Sequence, residues 1–220
     1  MCAQFMLKTD RNEVETIFEV SIPVDLPDAL FDQRVVPFRY APVIVAEEGR
    51  RVVRAMRFHL TPRWAKTETV KWATYNARLD SILEKASFRL AFRENRCLVL
   101  MNQFVEPIYE GKWAGHMVRF HEKESSVLAA AGIFDEWVHP ETGEVIESFA
   151  VVTNEPSEFV ERIGHDRQPV FPADGVWDEW LKPGKADGLI LQKLLIDNPQ
   201  QLEFAVSEDR PMRPGWEKRK

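Results

Sequence analysis

Hydrophobic and polar positions alternate, or gather into short apolar runs, over residues 14–20, 42–45, 52–60, 97–105, 117–120, 129–137 and 145–153. Segments of this length and period predict strands. Thr142-Gly143 predicts a hairpin turn between the last two, and Pro107 and Pro140 would each end a strand by withholding a backbone donor. A longer period runs from about residue 70 to 93, where Leu79, Ile82, Leu83, Ala86 and Leu90 recur every three or four positions and predict a helix. A second, short helix is expected after Asn154, with Pro156 at its first position, Phe159, Val160 and Ile163 facing inward, and a stop at Gly164. Residues 176–181 and 186–195 carry weaker helical spacing. Strands and helices mix without βαβ alternation or internal repeat. The expected fold is therefore α+β: a curled, mostly antiparallel mixed sheet, barrel-like and flanked by helices.

The chain has 220 residues, 45% hydrophobic and 29% charged, with 10 Gly, 14 Pro and 2 Cys. These proportions exclude collagen, a disulfide scaffold and a wholly disordered chain. A chain of this size buries roughly 70% of its unfolded surface without help from metal or disulfide. One domain over residues 1–210 is expected, then a basic, loose tail over 211–220. No apolar run approaches the ~20 residues of a membrane span, and MCAQFMLKTD lacks the order of a signal peptide. A soluble, monomeric, cytoplasmic protein is expected, associated with the nucleoid if bacterial, with no membrane partner. Cys2 and Cys97 form no CxxC or His/Cys spacing, so neither metal nor other cofactor is expected.

The net charge of -6 argues against a generic nucleic-acid binder, but it hides an asymmetry. Residues 1–120 carry 18 Lys+Arg against 15 Asp+Glu, residues 121–210 carry 7 against 19, and residues 211–220 carry 4 against 1. The densest basic window, residues 47–66, interleaves Phe58 and Trp64 with Arg50, Arg51, Arg54, Arg57, Arg63 and Lys66. That is the composition of a groove that neutralises phosphates and stacks bases, and equally of a solvated strand face with a core Trp.

Cys2 carries the sharpest candidate chemistry. Removal of Met1 would leave one residue with a free α-amine and a thiol two carbons apart, the amine partly neutral at cellular pH with a pKa near ~7.7–8.0. An aldehyde meeting that pair condenses to an imine, and the sulfur then closes on the same carbon to give a five-membered thiazolidine. Without such processing Cys2 is an ordinary second residue.

Further segments resemble, in order and spacing, the SRAP (SOS-response-associated peptidase) family. Met1-Cys2 followed by Phe5 resembles its MCGRF start, residues 35–45 (VVPFRYAPVIV) its APTQxxPVV segment, and residues 60–66 (LTPRWAK) its IPxWAK. Asn76, Ala77 and Arg78 are similar to its NARxE motif, and residues 96–106 (RCLVLMNQFVE) resemble RCLVPADGFYEW, with Phe104 and Glu106 in matching places. Residues 130–137, 150–156 and 164–170 resemble the AGLWE, TxxAN and HxRMPV blocks. Each motif alone is weak; their joint order makes the match.

The resemblance implies a sensor of abasic sites in single-stranded DNA that links itself to the lesion through Cys2, shields it, and trims its own leading residue. The implied catalytic set is Cys2, Asn76, Glu106 and His165, and the implied DNA contacts are Arg78, Arg167, Trp64 and Pro37. His165 would assist opening of the abasic sugar, Glu106 would shuttle protons, and Asn76 would fix the amine or a sugar hydroxyl. The arginines would hold phosphates while Pro37 and Trp64 wedge or stack at an unpaired base. Each residue also has a plainer role open to it: Asn76 as a helix cap, Glu106 as a surface carboxylate, His165 as a cation at a helix end, Trp64 as core. His59, His116, His121 and His139 match no motif and default to structural or solvent roles. The chain departs from the family where Ala3-Gln4 replaces Gly-Arg, Pro107 replaces Trp, Leu79-Asp80 replaces a polar-Glu pair and Gln168 replaces Met. Two other functions remain: an N-terminal-nucleophile amide hydrolase or peptidase using Cys2, and a protein that binds DNA or another partner reversibly.

Overall fold

Asp10 ends the first strand and starts the first helix. Its side chain accepts from Glu13 N at 2.8 Å, while Thr9 Oγ1 donates to the Glu13 carboxylate at 2.5 Å. Together they cap the helix that follows. The computed structural model describes residues 3–123 and 127–219; Cys2 lies outside the described residues. The elements run β1 (Gln4–Lys8), α1 (Arg11–Phe18), β2 (Asp32–Val35), β3 (Tyr40–Glu47), β4 (Arg50–Phe58), β5 (Asn76–Arg78), α2 (Arg89–Glu94), β6 (Arg96–Met101) and β7 (Gln103–Ile108). They continue with β8 (His116–Glu122), β9 (Leu128–Val138), β10 (Val145–Asn154), α3 (Glu158–Ile163), β11 (Gln168–Pro169), α4 (Trp177–Leu181), α5 (Gly188–Asp197) and β12 (Phe204–Pro211).

Among the described residues the strands form two sheets. In one, β10, β4, β3, β6 and β9 pair in succession and β9 returns to pair with β10, so the ladder closes on itself as a barrel. The β10–β4 and β10–β5 pairings are parallel, the rest of this sheet antiparallel. The other is a five-stranded antiparallel sheet in the order β12-β8-β7-β1-β2. Strand alternation sends one set of barrel residues, including Ile44, Leu98, Ala131 and Val152, against α1, α2, α4 and α5. The other set, including Val43, Met56, Val99 and Phe149, meets Phe5, Phe104 and Phe120 of the five-stranded sheet. Phe104 stacks on Phe120 at 4.9 Å and Phe5 meets Phe58 edge-on at 5.3 Å. This is the barrel-like α+β fold expected, with helices outside. No helix among the described residues is long and apolar enough to cross a membrane.

Several local expectations need correction. Residues 14–20, read as a strand, contribute to α1, because the Asp10 cap outweighs β-branched composition and Val14 and Phe18, four apart, share its buried face. The helix expected over 70–93 forms only as α2 at its end. Residues 76–78 instead pair with Val151, Val152 and Thr153 of β10, and residues 79–88 descend through successive turns that still bury Leu79 and Ile82. The single strand over 97–105 breaks at Asn102, whose N donates to Met6 O at 2.8 Å and whose Oδ1 accepts from Lys8 N. That break passes the chain from the barrel to the second sheet. The hairpin at Gly143 forms and α3 ends at Gly164, but the helix starts after Ser157, so Pro156 lies before its cap, and Pro107 sits within β7 opposite Met117 rather than ending it. After β12, Met212 N donates to Gly115 O at 2.7 Å, and Trp216 packs over Gly115 and Tyr109.

Gly132 of β9 sits where β6 and β10 crowd closest: a Cβ there would stand 2.7 Å from Val99 Cγ2 and 2.8 Å from Cys97 Sγ. Gly132→Ala is expected to lower the unfolding free energy by about 1–3 kcal/mol, read from a shift of the urea midpoint.

Candidate active site

The alternation of β7 turns Phe104, Glu106 and Ile108 to one face, into the aromatic core, and Glu106 is fully buried. The plainer reading of Glu106 as a surface carboxylate is thereby excluded. Facing it is His165, placed by the end of α3. Ser157 caps that helix and Gln168 Oε1 accepts from Ser157 N at 2.9 Å, tying the helix start to the strand that follows His165. Gly164 then turns the chain with φ +108, a conformation that favours glycine, and a Cβ there would press on Glu110 O and Ile108 Cγ2 at 3.2 Å. The turn delivers His165 Nε2 to 3.1 Å from Glu106 Oε2.

Nδ1 of His165 meets two groups of one residue: Arg167 O at 2.8 Å and Arg167 N at 3.2 Å. A neutral ring accepts from that N–H while Nε2–H donates to Glu106; an imidazolium donates to the carbonyl and to the carboxylate together. Either set of partners suits the same ring orientation.

β5 brings the next residues. Its predecessor Tyr75 packs against the aromatic core; burial raises its phenol pKa, and the nearby Glu106 charge raises it further. Asn76 is 8% exposed, and neither polar atom of its amide has a hydrogen-bond partner among the described residues. It lies in a strand, so it caps no helix. Two residues on, exposed Arg78 meets Asp80 at 2.7 Å, and the same carboxylate oxygen takes Arg167 at 3.4 Å. One carboxylate therefore gathers both arginines singled out from the sequence. Nε and Nη1 of Arg167 are buried without hydrogen-bond partners among the described residues.

Pro37 and Trp64 lie in two aromatic groupings. Residues 36–39 form a turn closed by Arg39 N donating to Val36 O at 3.0 Å, with Phe38 at φ +72 following Pro37. Phe38 stacks on His59 at 4.5 Å, and His59, also at positive φ, lies 6.0 Å from Tyr75. Trp64 is 48% exposed, stacks on Trp72 at 6.3 Å, and donates from Nε1 to Ala86 O at 3.2 Å. It is not core. The structure thus brings Glu106 and His165 into contact, places Tyr75 within reach of the Glu106 charge, and joins Arg78 to Arg167. Tyr75, Phe38 and Trp72 went unnoticed in the sequence; their adjacency to Asn76 and Pro37 and the clustering of aromatics before residue 76 were the available signals.

Charge around the site is uneven. An open concavity of about 590 Å³ beside His165 and Arg167 is rimmed by Glu110, Glu155, Glu161 and Asp166. Carboxylates thus dominate the rim of that concavity, with Arg167 and His165 set among them.

The model of the SOS response associated peptidase (SRAP) family matches residues 1–209. The chain is 30% identical over 172 residues to the abasic site processing protein YoqW of Bacillus subtilis strain 168, covering 77% of this chain and 75% of that protein. It is 30% identical over 198 residues to the abasic site processing protein YobE of the same organism, covering 89% of each. The crystal structure of a Bacteroides thetaiotaomicron protein, 23% identical, shares the fold with a TM-score of 0.78 over 95% of this chain and 92% of the other.

Two titrations check the electrostatics. Burial lowers the His59 pKa from the ordinary 6.5, with Arg57 adding to the effect. As pH falls through about 6.5 the unfolded chain takes up a proton that folded His59 does not, so stability rises with pH across that window. An NMR titration should place His59 below 6.5, and His59→Asn should flatten the pH dependence of unfolding there. Spectrophotometric titration of Glu106→Gln should bring the Tyr75 phenol pKa down from its wild-type position while leaving it above the ordinary value, because burial remains.

Proposed function

Because the chain belongs to the SOS response associated peptidase (SRAP) family, we propose that it processes abasic sites in single-stranded DNA by covalent capture, with Cys2 as the capturing residue once Met1 is removed. YoqW and YobE, both abasic site processing proteins, support the substrate. The observation that carries the reading is the buried Glu106–His165 pair at the end of β7 that adjoins the start of β1. Gln4 pairs with Val105, the residue before Glu106. That register supports a reaction between the beginning of the chain and a sugar held at the pair.

The chemistry follows from the groups. An abasic deoxyribose is mostly a closed hemiacetal. His165 as imidazolium protonates the ring oxygen while Glu106 removes the anomeric hydroxyl proton, and the ring opens to the aldehyde. The neutral α-amine of Cys2 adds to the aldehyde carbon, a proton moves to the former carbonyl oxygen, and water leaves to give the imine. The thiolate then adds to that same carbon while the nitrogen takes up the proton released by the thiol. The balance is one aldehyde and one aminothiol in, one thiazolidine and one water out, with no oxidant or metal involved. The free amide of Asn76 supports a role in holding the sugar, since a buried donor and acceptor are otherwise costly to leave unpaired. Arg78 and Arg167, paired through Asp80, are suited to take a phosphate in exchange for that carboxylate. Pro37 with Phe38, and Trp64 with Trp72, offer ring faces to unpaired bases.

Incubating the Met1-free protein with a single-stranded abasic oligonucleotide should give a band that survives denaturation. Cys2→Ala should give none, and Glu106→Gln and His165→Ala should each slow its appearance by about 10²–10⁴-fold. A wild-type sample without the band, or a band unchanged in Cys2→Ala, would overturn the proposal.

A further inference from the structure

Three guanidinium groups converge on one carboxylate at the face of the five-stranded sheet opposite Glu106. Gln4 and Val105 pair, so their side chains share a face, and strand alternation puts Glu106 on the other. On the Gln4 face, Asp209 is only 4% exposed in its side chain. Arg34 reaches it at 2.5 Å, Arg210 at 2.6 Å and Arg119 at 3.9 Å. Gln4 completes the cluster without cancelling charge: its Oε1 accepts from Arg34 Nη1 and from Arg210 Nη2, each at 3.1 Å. Three cations against one buried anion leave a surplus of positive charge, and Arg210 keeps 46% of its side chain in solvent.

The surplus opens onto a groove of about 360 Å³ lined by Gln4, Pro107, Tyr109, Arg210, Arg213 and Trp216. The groove starts one residue along β7 from Glu106. It combines two arginines with two aromatic rings, Tyr109 and Trp216, whose centroids lie 6.3 Å apart. Cations for a backbone and ring faces for bases form the recognition chemistry of a single strand. We infer that this groove, built by β12 and the residues after it, is a second phosphate-binding subsite for single-stranded DNA, holding the backbone where it runs past the start of β1 on the face of the sheet away from Glu106. The inference rests on the reading of DNA as substrate. The acidic rim on the His165 side leaves this face as a favourable path for the strand to leave the site.

The test is binding of an undamaged, fluorescein-labelled oligothymidylate, measured by anisotropy over a range of salt, so that capture plays no part. Arg210→Ala/Arg213→Ala should weaken binding about tenfold and lower the slope of log K against log salt by about 0.7–1.4, the share of one or two phosphates. Gln4→Glu guards against a mere folding defect. It sets a carboxylate between Arg34 and Arg210, so thermal stability should hold or rise while DNA affinity falls. Wild-type affinity and salt slope in both variants would overturn the subsite, as would a wild-type protein that binds no oligothymidylate. Adduct formation with an abasic oligonucleotide is scored separately. If the wild type forms no adduct yet loses oligothymidylate affinity in both variants, capture falls and the subsite stands; if adducts form and both variants bind as wild type, the reverse holds.

Discussion

The contact between Glu106 and His165 is the constraint around which this structure is arranged. A carboxylate taken wholly out of water is tolerated only beside a group that can share or donate a proton. Here that group must arrive from a different part of the chain at 3.1 Å. Three features meet the requirement together: the β7 register that turns Glu106 inward, the left-handed Gly164 that swings the chain down from α3, and the Arg167 peptide that receives the imidazole's other nitrogen. The aromatic core around Phe104 excludes water from the pair and so strengthens it.

Around this pair the arginines are held in place by carboxylates of the same chain. Asp80 takes Arg78 and Arg167, and Asp209 takes Arg34, Arg119 and Arg210. Such pairs contribute little to stability when exposed. They do pre-organise guanidinium groups that would otherwise sample many rotamers, so less entropy is lost when a polyanion arrives. The chain is acidic overall, yet Arg78 with Arg167, and Arg34 with Arg119 and Arg210, gather positive charge at two places while carboxylates rim a third.

The barrel strands were legible because their apolar and alternating runs are bounded by turn residues, although only β3–β4 and β9–β10 are neighbours in sequence. Glu106, Asn76 and His165 were legible as a set only through motif order; no local property marked Glu106 as buried, since Pro107 behind it suggests a strand end in solvent. The helix read into residues 70–93 failed for a physical reason. Leu79 and Ile82 do face a core, but three residues of backbone find better hydrogen bonds on the edge of β10 than in a helix, a tertiary preference that periodicity does not encode. Asp10, by contrast, carried a helix-start signal that was present and overlooked beside the β-branched residues that follow. The Gln4–Arg210 contact spans 206 positions, and nothing local to either residue announces it. Replacement of the family's Gly-Arg by Ala3-Gln4 takes a cation from the start of β1, and the strand that sets Arg210 against Gln4 lies at the other end of the chain.

That distance has a consequence for biosynthesis. β1 is translated long before β12, yet both belong to one sheet. Until Arg210 has been translated, the face that carries Gln4 has no arginine from β12, and β8 stands as an open edge. A nascent chain therefore lacks part of this cationic surface until its closing strand has been made. A chain cut short before β12 would keep Gln4 and Arg34 but lose Asp209 and Arg210 together, the buried carboxylate along with one of the cations it gathers.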